Sequence, residues 1–455
     1  MTPLARLGEV ADVVAGVGFP KEMQGREDAE VPVFKVGDIS AAWTNAQRLL
    51  RSSRNYLTLD EAASLGRLVP AGSTVFAKIG EALRLNRRAV LAQASLVDNN
   101  VMGLVPRPDV LSPMYLFYFM QTVDLGKLSR ATAVPSIRKS DVVDIPVPVP
   151  TLAQQEVIVA EIEKQFSRLD EAVANLKRVK ANLKRYKAAV FKAAVESRLV
   201  PTEAELARRA GRGYETGAQL LQRILDERRA QWSGPRKYKE PEPPNTDLPE
   251  LAEGWVCASI EQLSSLVEYG SSTKTSEDAR GVPVVRMGNI HDGALSFHDM
   301  KYLPHSHGEF PKLLLAPGDL LFNRTNSADL VGKTAVFKGA PQPCSFASYL
   351  IRARLVHGCL PPFVAAYINS SYGRQWVKSV VTQQVGQANV NGTKLQALTV
   401  PLPPSAEQAR IVAEVDRRLS LVREVDAEVD TNLKRAERLR QVTLQEAFAG
   451  ASSAR

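Results

Sequence analysis

Apolar residues recur every seven positions through two long stretches of this chain. In the first, Ile162, Leu169, Leu176, Leu183 and Val190 form one row with Phe166 and Val173 interleaved; in the second, Val415, Val422, Val429 and Ala436 form the row with Leu419 and Leu433 between. Charged residues fill the flanks. A seven-residue apolar repeat sustained over several turns predicts coiled-coil helices, and each stretch is the natural partner of the other. Elsewhere the pattern shifts to alternation. VPVFKVGDIS (Val31–Ser40) and VPVVRMGNIH (Val282–His291) each read as a strand ending in a turn, at Gly37 and Gly288. LVPAGSTVFAKIG (Leu68–Gly80) and LLAPGDLLFNRTN (Leu314–Asn326) place Gly72 and Gly318 before short apolar strands carrying Phe76 and Phe322.

These pairs belong to one internal repeat. VPVPTLAQQEVIVAEIE from Val147 returns as VPLPPSAEQARIVAEVD from Val400, and each copy opens a long helix behind a globular segment. The expected organisation is a module over 1–150, a long helix over 151–198, a linker over 199–250, a second module over 251–403 and a second long helix over 404–450. The linker contributes a short helix from Thr216 to Trp232, with Leu220, Leu221, Ile224 and Leu225 on one face, and a Pro-rich charged tether from Gly234. The fold class is therefore mixed α/β: two globular α/β modules separated by two long antiparallel coiled-coil helices, with a pseudo-two-fold internal repeat. From Leu152 to about Ser197 a helix would span on the order of 70 Å, which would put one module at each end of a rod.

Composition narrows the class. A chain of 455 residues with 44% hydrophobic content can bury ordinary cores. No run of roughly 18 apolar residues occurs and Met1 leads directly into TPLARLGEV, so the expectation is a cytoplasmic protein with no membrane span. Cys257, Cys344 and Cys359 are an odd number without disulfide or zinc spacing, and they fall in the second half together with all five histidines, His291, His298, His305, His307 and His357. No histidine or cysteine chemistry can therefore be duplicated with the repeat. A formal charge of +9 and a pI near 9.3 point to a polyanion, either nucleic acid or an acidic membrane face.

Familiar catalytic signatures are absent. Gly332-Lys333-Thr334 resembles the end of a phosphate-binding loop, but Ser327 stands where the first glycine is required. Asp38 and Asp319 read as turn residues. What remains is basic and polar: Lys78, Arg84, Arg87 and Arg88 in the first module, Arg324, Asn326 and Lys333 in the matching stretch of the second, and Lys35 and Arg286 in the repeated strand. Arg and Asn can pair with base edges and Lys with phosphates, so as a set these favour DNA. The surrounding segments diverge, ALRLNRR (Ala82–Arg88) against ADLVGKT (Ala328–Thr334), as expected of one scaffold with two recognition surfaces. Lys177, Arg178, Lys184, Arg185 and Lys187 lie largely off the apolar seam, where a solvated flank, a DNA phosphate contact or an acidic partner helix would each suit them.

The repeated Val-Pro entry to each long helix, the closing stretches NLKRYKAAVFKAAV and LRQVTLQEAFAG, the run GDLLFNRTNSADLVGK and the opening PELAEGW together resemble the specificity subunits of type I restriction-modification enzymes over Leu4 to Gly450. The resemblance implies that each module is a target recognition domain reading one half of a split sequence in double-stranded DNA. It further implies that the helices set the unread spacer and dock two methyltransferase (modification) subunits, which motor-nuclease (restriction) subunits join. This chain would itself hold no catalytic residue, metal or cofactor; S-adenosylmethionine, ATP and Mg would sit on the partner subunits. Two departures stand out. The first module lacks the preamble of the second, so its first strand is expected to be shortened or completed by the C-terminus, and KIGEALRLNR replaces RTNSADLVGK, leaving the equivalence of Lys78 to Arg324 and of Arg84 to Leu330 open. Without the resemblance, the same features also suit a non-enzymatic coiled-coil scaffold for protein partners.

Overall fold

The computed structural model describes residues 3–45, 47–129, 134–233, 237–245, 248, 251–327, 330–384 and 387–453. Parts of the Pro-rich tether, the PELAEGW opening and the Ala328–Thr334 stretch lie outside them. The chain forms two compact units, one of residues 1–178 and 429–455 and the other Val179–Glu428, so each unit takes in part of both long helices.

The units repeat the same sheet plan. In the first, Leu4–Arg6 pairs antiparallel with Pro146–Pro148; in the second, Val256–Ser259 pairs antiparallel with Thr399–Leu402. The first strand is thus shortened, and it is completed within its own module rather than by the C-terminus. The larger sheets run Ala11–Ala15, Val101–Pro106, Thr74–Ala77, Arg88–Leu91, Leu49–Leu50 in one unit and Ser264–Tyr269, Leu350–Leu355, Leu320–Asn323, Thr334–Val336 in the other. The alternating-valine strands, Val31–Phe34 and Val282–Val285, are each central in a three-stranded sheet with one parallel and one antiparallel neighbour. Gly72 and Gly318 hold left-handed φ values of +80° and +92° in the turns before the Phe76 and Phe322 strands, a conformation other residues adopt at a cost.

Two local expectations need correction. Gly37 lies inside a helix, Val36–Thr44, and Gly288 inside a 3-10 turn, Met287–Asn289, rather than in a simple turn. The cause is capping: Asp38 accepts the Lys35 N–H at 2.7 Å and Asn289 accepts the Arg286 N–H at 2.9 Å, which starts helical winding as soon as the strand ends. The linker is also more structured than a tether. TEAE builds a capping box at Thr202 and Glu205, giving a helix Glu203–Ala210 before the anticipated one, Gly217–Ala230. Leu220 and Ile224 enter the second unit's core beside Ala258, Ile260 and Leu263, while Leu221 stays half-buried.

The long helices are continuous over Leu152–Val195 and Ser405–Ser453. In the first unit Ile162, Phe166, Leu444 and Phe448 join the module core, where the Phe448 ring meets Tyr115 and Phe119 edge-on at 5.1 and 5.6 Å; Arg440 stacks on Phe166 and pairs with Asp170. In the second, Val190, Phe191 and Ala194 pack with Ile411, Val415 and Leu419, and Lys180 faces Asp426 at 3.9 Å. The helices therefore run antiparallel within each unit. Along the seam Leu169, Val173, Leu176, Leu183, Val422 and Leu433 are half-buried, whereas Val429 and Ala436 are buried, as a two-helix contact that covers one stripe requires.

The repeated helix entry has a structural task. Buried Gln155 donates through Nε2 to the carbonyls of Pro150 and Val110, both at 2.9 Å, and accepts the Ser112 N–H at 2.8 Å. Gln408 repeats the set on Pro403 O at 3.0 Å, Gly358 O at 3.3 Å and Leu360 N–H at 2.8 Å. Ser112 and Leu360 are the N-cap residues of the helices Pro113–Thr122 and Pro361–Asn369, so each glutamine clasps a long helix to its module.

Candidate nucleic-acid interface

Lys78 and Arg324 occupy the same backbone setting. Lys78 N–H donates to Asn100 O at 2.9 Å and its carbonyl accepts Ile137 N–H at 3.0 Å; Arg324 N–H donates to Tyr349 O at 3.0 Å and its carbonyl accepts Val390 N–H at 2.9 Å. Both residues leave the end of the corresponding strand, after Ala77 and after Asn323. One backbone slot thus carries lysine in one module and arginine in the other. Two places away in each sheet the edge strand finishes at Ala15 in the first module and Tyr269 in the second, each followed by a glycine whose added Cβ would strike a carbonyl, Asp98 O at 1.9 Å or Phe346 O at 2.3 Å.

The other candidates divide into available and committed groups. Lys35 is half-buried, with Nζ 2.6 Å from Gln24 Oε1 and 5.4 Å from the Phe19 ring centre. It also acts on Asp98, whose carboxyl burial pushes above its ordinary value while the Asn100 bonds and the Lys35 charge oppose this. Arg84 is exposed and pairs with Glu81 at 3.4 Å. Arg87 is half-exposed. Arg88, its neighbour on the opposite face, is only 1% exposed: Nη1 and Nη2 bond to Asn86 O and Oδ1, both at 2.8 Å, and Nη2 also reaches Val123 O. Burial pushes its guanidinium down to about 9, still high enough to remain charged at neutral pH. Arg88 is therefore a core residue, buried away from the binding surface on which its sequence neighbours had placed it.

In the second module Arg286 spends one guanidinium nitrogen on Asp299 O, at 2.5 Å. Asn326 is half-buried in the short strand Thr325–Asn326, which pairs with Gln387–Asn389. Lys333 leads into the strand Thr334–Val336, so no helix follows the Gly-Lys-Thr fragment and the phosphate-loop context is missing. It lines a pocket of about 170 Å³ with Lys184, Lys187 and Arg374. Lys187 donates to Asp292 O at 2.8 Å, and burial lowers its ammonium pKa despite that neighbour. Lys177, Arg178, Lys184 and Arg185 are exposed on the helix flank.

Three features escaped the sequence reading. Tyr269 and Asn389 gather around Arg324, although they are distant along the chain. Arg51 and Arg54, with Arg48, line an open cleft of about 810 Å³ in the first unit; the RLLRSSR run was the available signal. Ser271, His307 and Glu309 converge, but the serine hydroxyl and the carboxylate both face the same ring nitrogen, so the histidine is not held between them as a serine-activating base must be. Asp38 and Asp319 are structural: Asp319 accepts Ala316 N–H at 2.8 Å and pairs with Arg354 at 2.7 Å and Arg352 at 3.4 Å. Among the described residues no His, Cys, Asp or Glu group is arranged to hold a metal ion, and no helix is long and apolar enough to cross a membrane.

The chain is thus a duplicated α/β module joined to long helices that run antiparallel within each unit, with a polar slot that differs between the copies. The chain belongs to the type I restriction modification DNA specificity domain family, whose model matches residues 4–185 and 253–425. It is 25% identical over 328 residues to the EcoKI specificity subunit of Escherichia coli, a match covering 72% of this chain and 62% of that one. The match therefore spans less than two thirds of that relative's length. Its fold is similar to a chain solved in work on complex assembly and conformational transition of the type I R-M system, with TM-score 0.63 and 18% identity over 98% of this chain and 97% of the other. It is also similar to the HsdS subunit from Thermoanaerobacter tengcongensis, with TM-score 0.51 and 18% identity over 99% and 97% of the two chains.

Proposed function

We propose that this chain is the sequence-specific DNA-binding subunit of a type I restriction-modification complex. Each module reads one half-site of a bipartite target, while the helices set the spacer and dock two methyltransferase subunits that motor-nuclease subunits join. The chain supplies the address and no catalysis; S-adenosylmethionine, ATP and Mg belong to its partners in the cytoplasm. Lys35, Lys78, Arg84, Arg87, Arg286, Arg324, Asn326 and Lys333 supply the DNA contacts.

The observation that supports this most directly is the shared slot of Lys78 and Arg324. Identical backbone bonding with different side-chain chemistry is what two readers of unlike half-sites need. A methylome of the host with and without the gene tests the reading: one split motif should disappear, and an unchanged pattern would refute it. Binding to that motif should fall steeply with salt, since Lys and Arg displace counterions from phosphates. Exchanging the first module should change one half-site, and removing one heptad from each helix should shorten the spacer while both half-sites stay the same.

A further inference from the structure

Arg324 is held more elaborately than a solvated cation needs. Its guanidinium carbon lies 4.6 Å from the centre of the Tyr269 ring, Nη1 points to Ser348 O and Nη2 to Asn389 Oδ1, both at 3.4 Å, and Nε is buried without a partner. Bonds of that length are weak and readily exchanged for better acceptors. The supports are themselves anchored. The Tyr269 hydroxyl accepts Gly392 N–H at 2.7 Å, and the Asn389 amide donates to Thr325 Oγ1 at 3.1 Å. Tyr269 is 42% exposed and Tyr349, whose carbonyl takes the Arg324 N–H, is 48% exposed, so this corner of the module is open to a ligand.

We infer that Arg324 is a specificity-determining residue that reads a guanine in the second module's half-site, with Tyr269 and Asn389 as positioning residues; this rests on the DNA-reading function proposed above. Two N–H groups of a planar fork match the O6 and N7 acceptors that guanine alone presents together in the major groove. A phosphate would also accept two bonds, but a phosphate contact needs only charge, which Lys78 provides equally well in the same slot of the first module. The aromatic platform and the amide are useful where the plane of the fork must be fixed. The first module has Ala15 in place of Tyr269, so its slot reads by a different rule.

The test uses the complex purified from its host and duplexes carrying its own mapped motif, each with one base pair replaced. Wild-type complex should lose about 5- to 150-fold in affinity when one guanine of the second half-site is replaced. Arg324→Lys, which keeps the charge and removes the fork, should bring that ratio close to one and leave every first-half-site ratio as in wild type; those ratios also report that the protein is folded. Tyr269→Leu should reduce discrimination at the same base pair only. Unchanged ratios in Arg324→Lys overturn the inference, as does a second half-site with no guanine on either strand. Equal weakening on all sequences with a shallower salt dependence would make Arg324 a phosphate contact and overturn it too. Absence of any sequence preference in the wild-type complex would instead defeat the proposed function itself.

Discussion

Replacing Gln408 with alanine should release the second long helix from its module, and Gln155→Ala should do the same in the first. Gln408 is fully buried and makes three hydrogen bonds, to Pro403 O, Gly358 O and Leu360 N–H. Each such bond contributes about 1 kcal/mol net, and a buried N–H stranded by the substitution costs roughly another 1–3 kcal/mol. The sum is about 4–6 kcal/mol for either glutamine, since Gln155 repeats the set with Pro150, Val110 and Ser112. In a body of roughly 150–250 residues this lowers the melting temperature by about 8–24 °C. The assay is urea and thermal unfolding of the full chain, followed by circular dichroism. If the two units melt separately, each substitution should shift a different transition. Glu156→Ala, at an exposed position on the same helix, should stay within about 0.5 kcal/mol of wild type. A cost below about 1 kcal/mol for either glutamine, or a control as damaging as Gln155→Ala, would refute the clasp.

Arg88→Leu should destabilise the first unit by about 2–4 kcal/mol through its lost bonds to Asn86 and Val123, while base selectivity stays as in wild type; altered selectivity at unchanged stability would contradict its core role. Glu414 is held near a pKa of about 2 by hydrogen bonds from Arg417 and Arg418, below its ordinary 4.5. Because its folded value is depressed, its contribution is complete above about pH 4.5 and disappears as pH falls toward 2, so acid unfolding of Glu414→Gln should show a shallower loss across that window than wild type. Burial pushes the Cys344 and Cys359 thiols up to about 12, whereas Cys257 is half-exposed, so a thiol reagent should titrate Cys257 in the folded protein and the other two only after unfolding.

Much of the architecture was legible because its causes are local. The seven-residue apolar rows around Ile162 and Val415 specify helices and the seam along which they pair, and the repeat at Val147 and Val400 announces a duplicated plan. Even the missed helix at Glu203 carried its own signal in a capping box. Adjacent residues of one type are another matter. Arg87 and Arg88, or Gln154 and Gln155, look alike in sequence, yet one of each pair is exposed or half-exposed and the other buried, according to which face the sheet or helix turns inward. The site around Arg324 depends on still more distant partners, because Tyr269 comes from a preceding strand and Asn389 from a later one. Periodicity sets which elements form and which stripe they bury; the assembly of a reading site waits on sheet pairing, since hydrogen bonds between remote strands place side chains together that no local pattern connects.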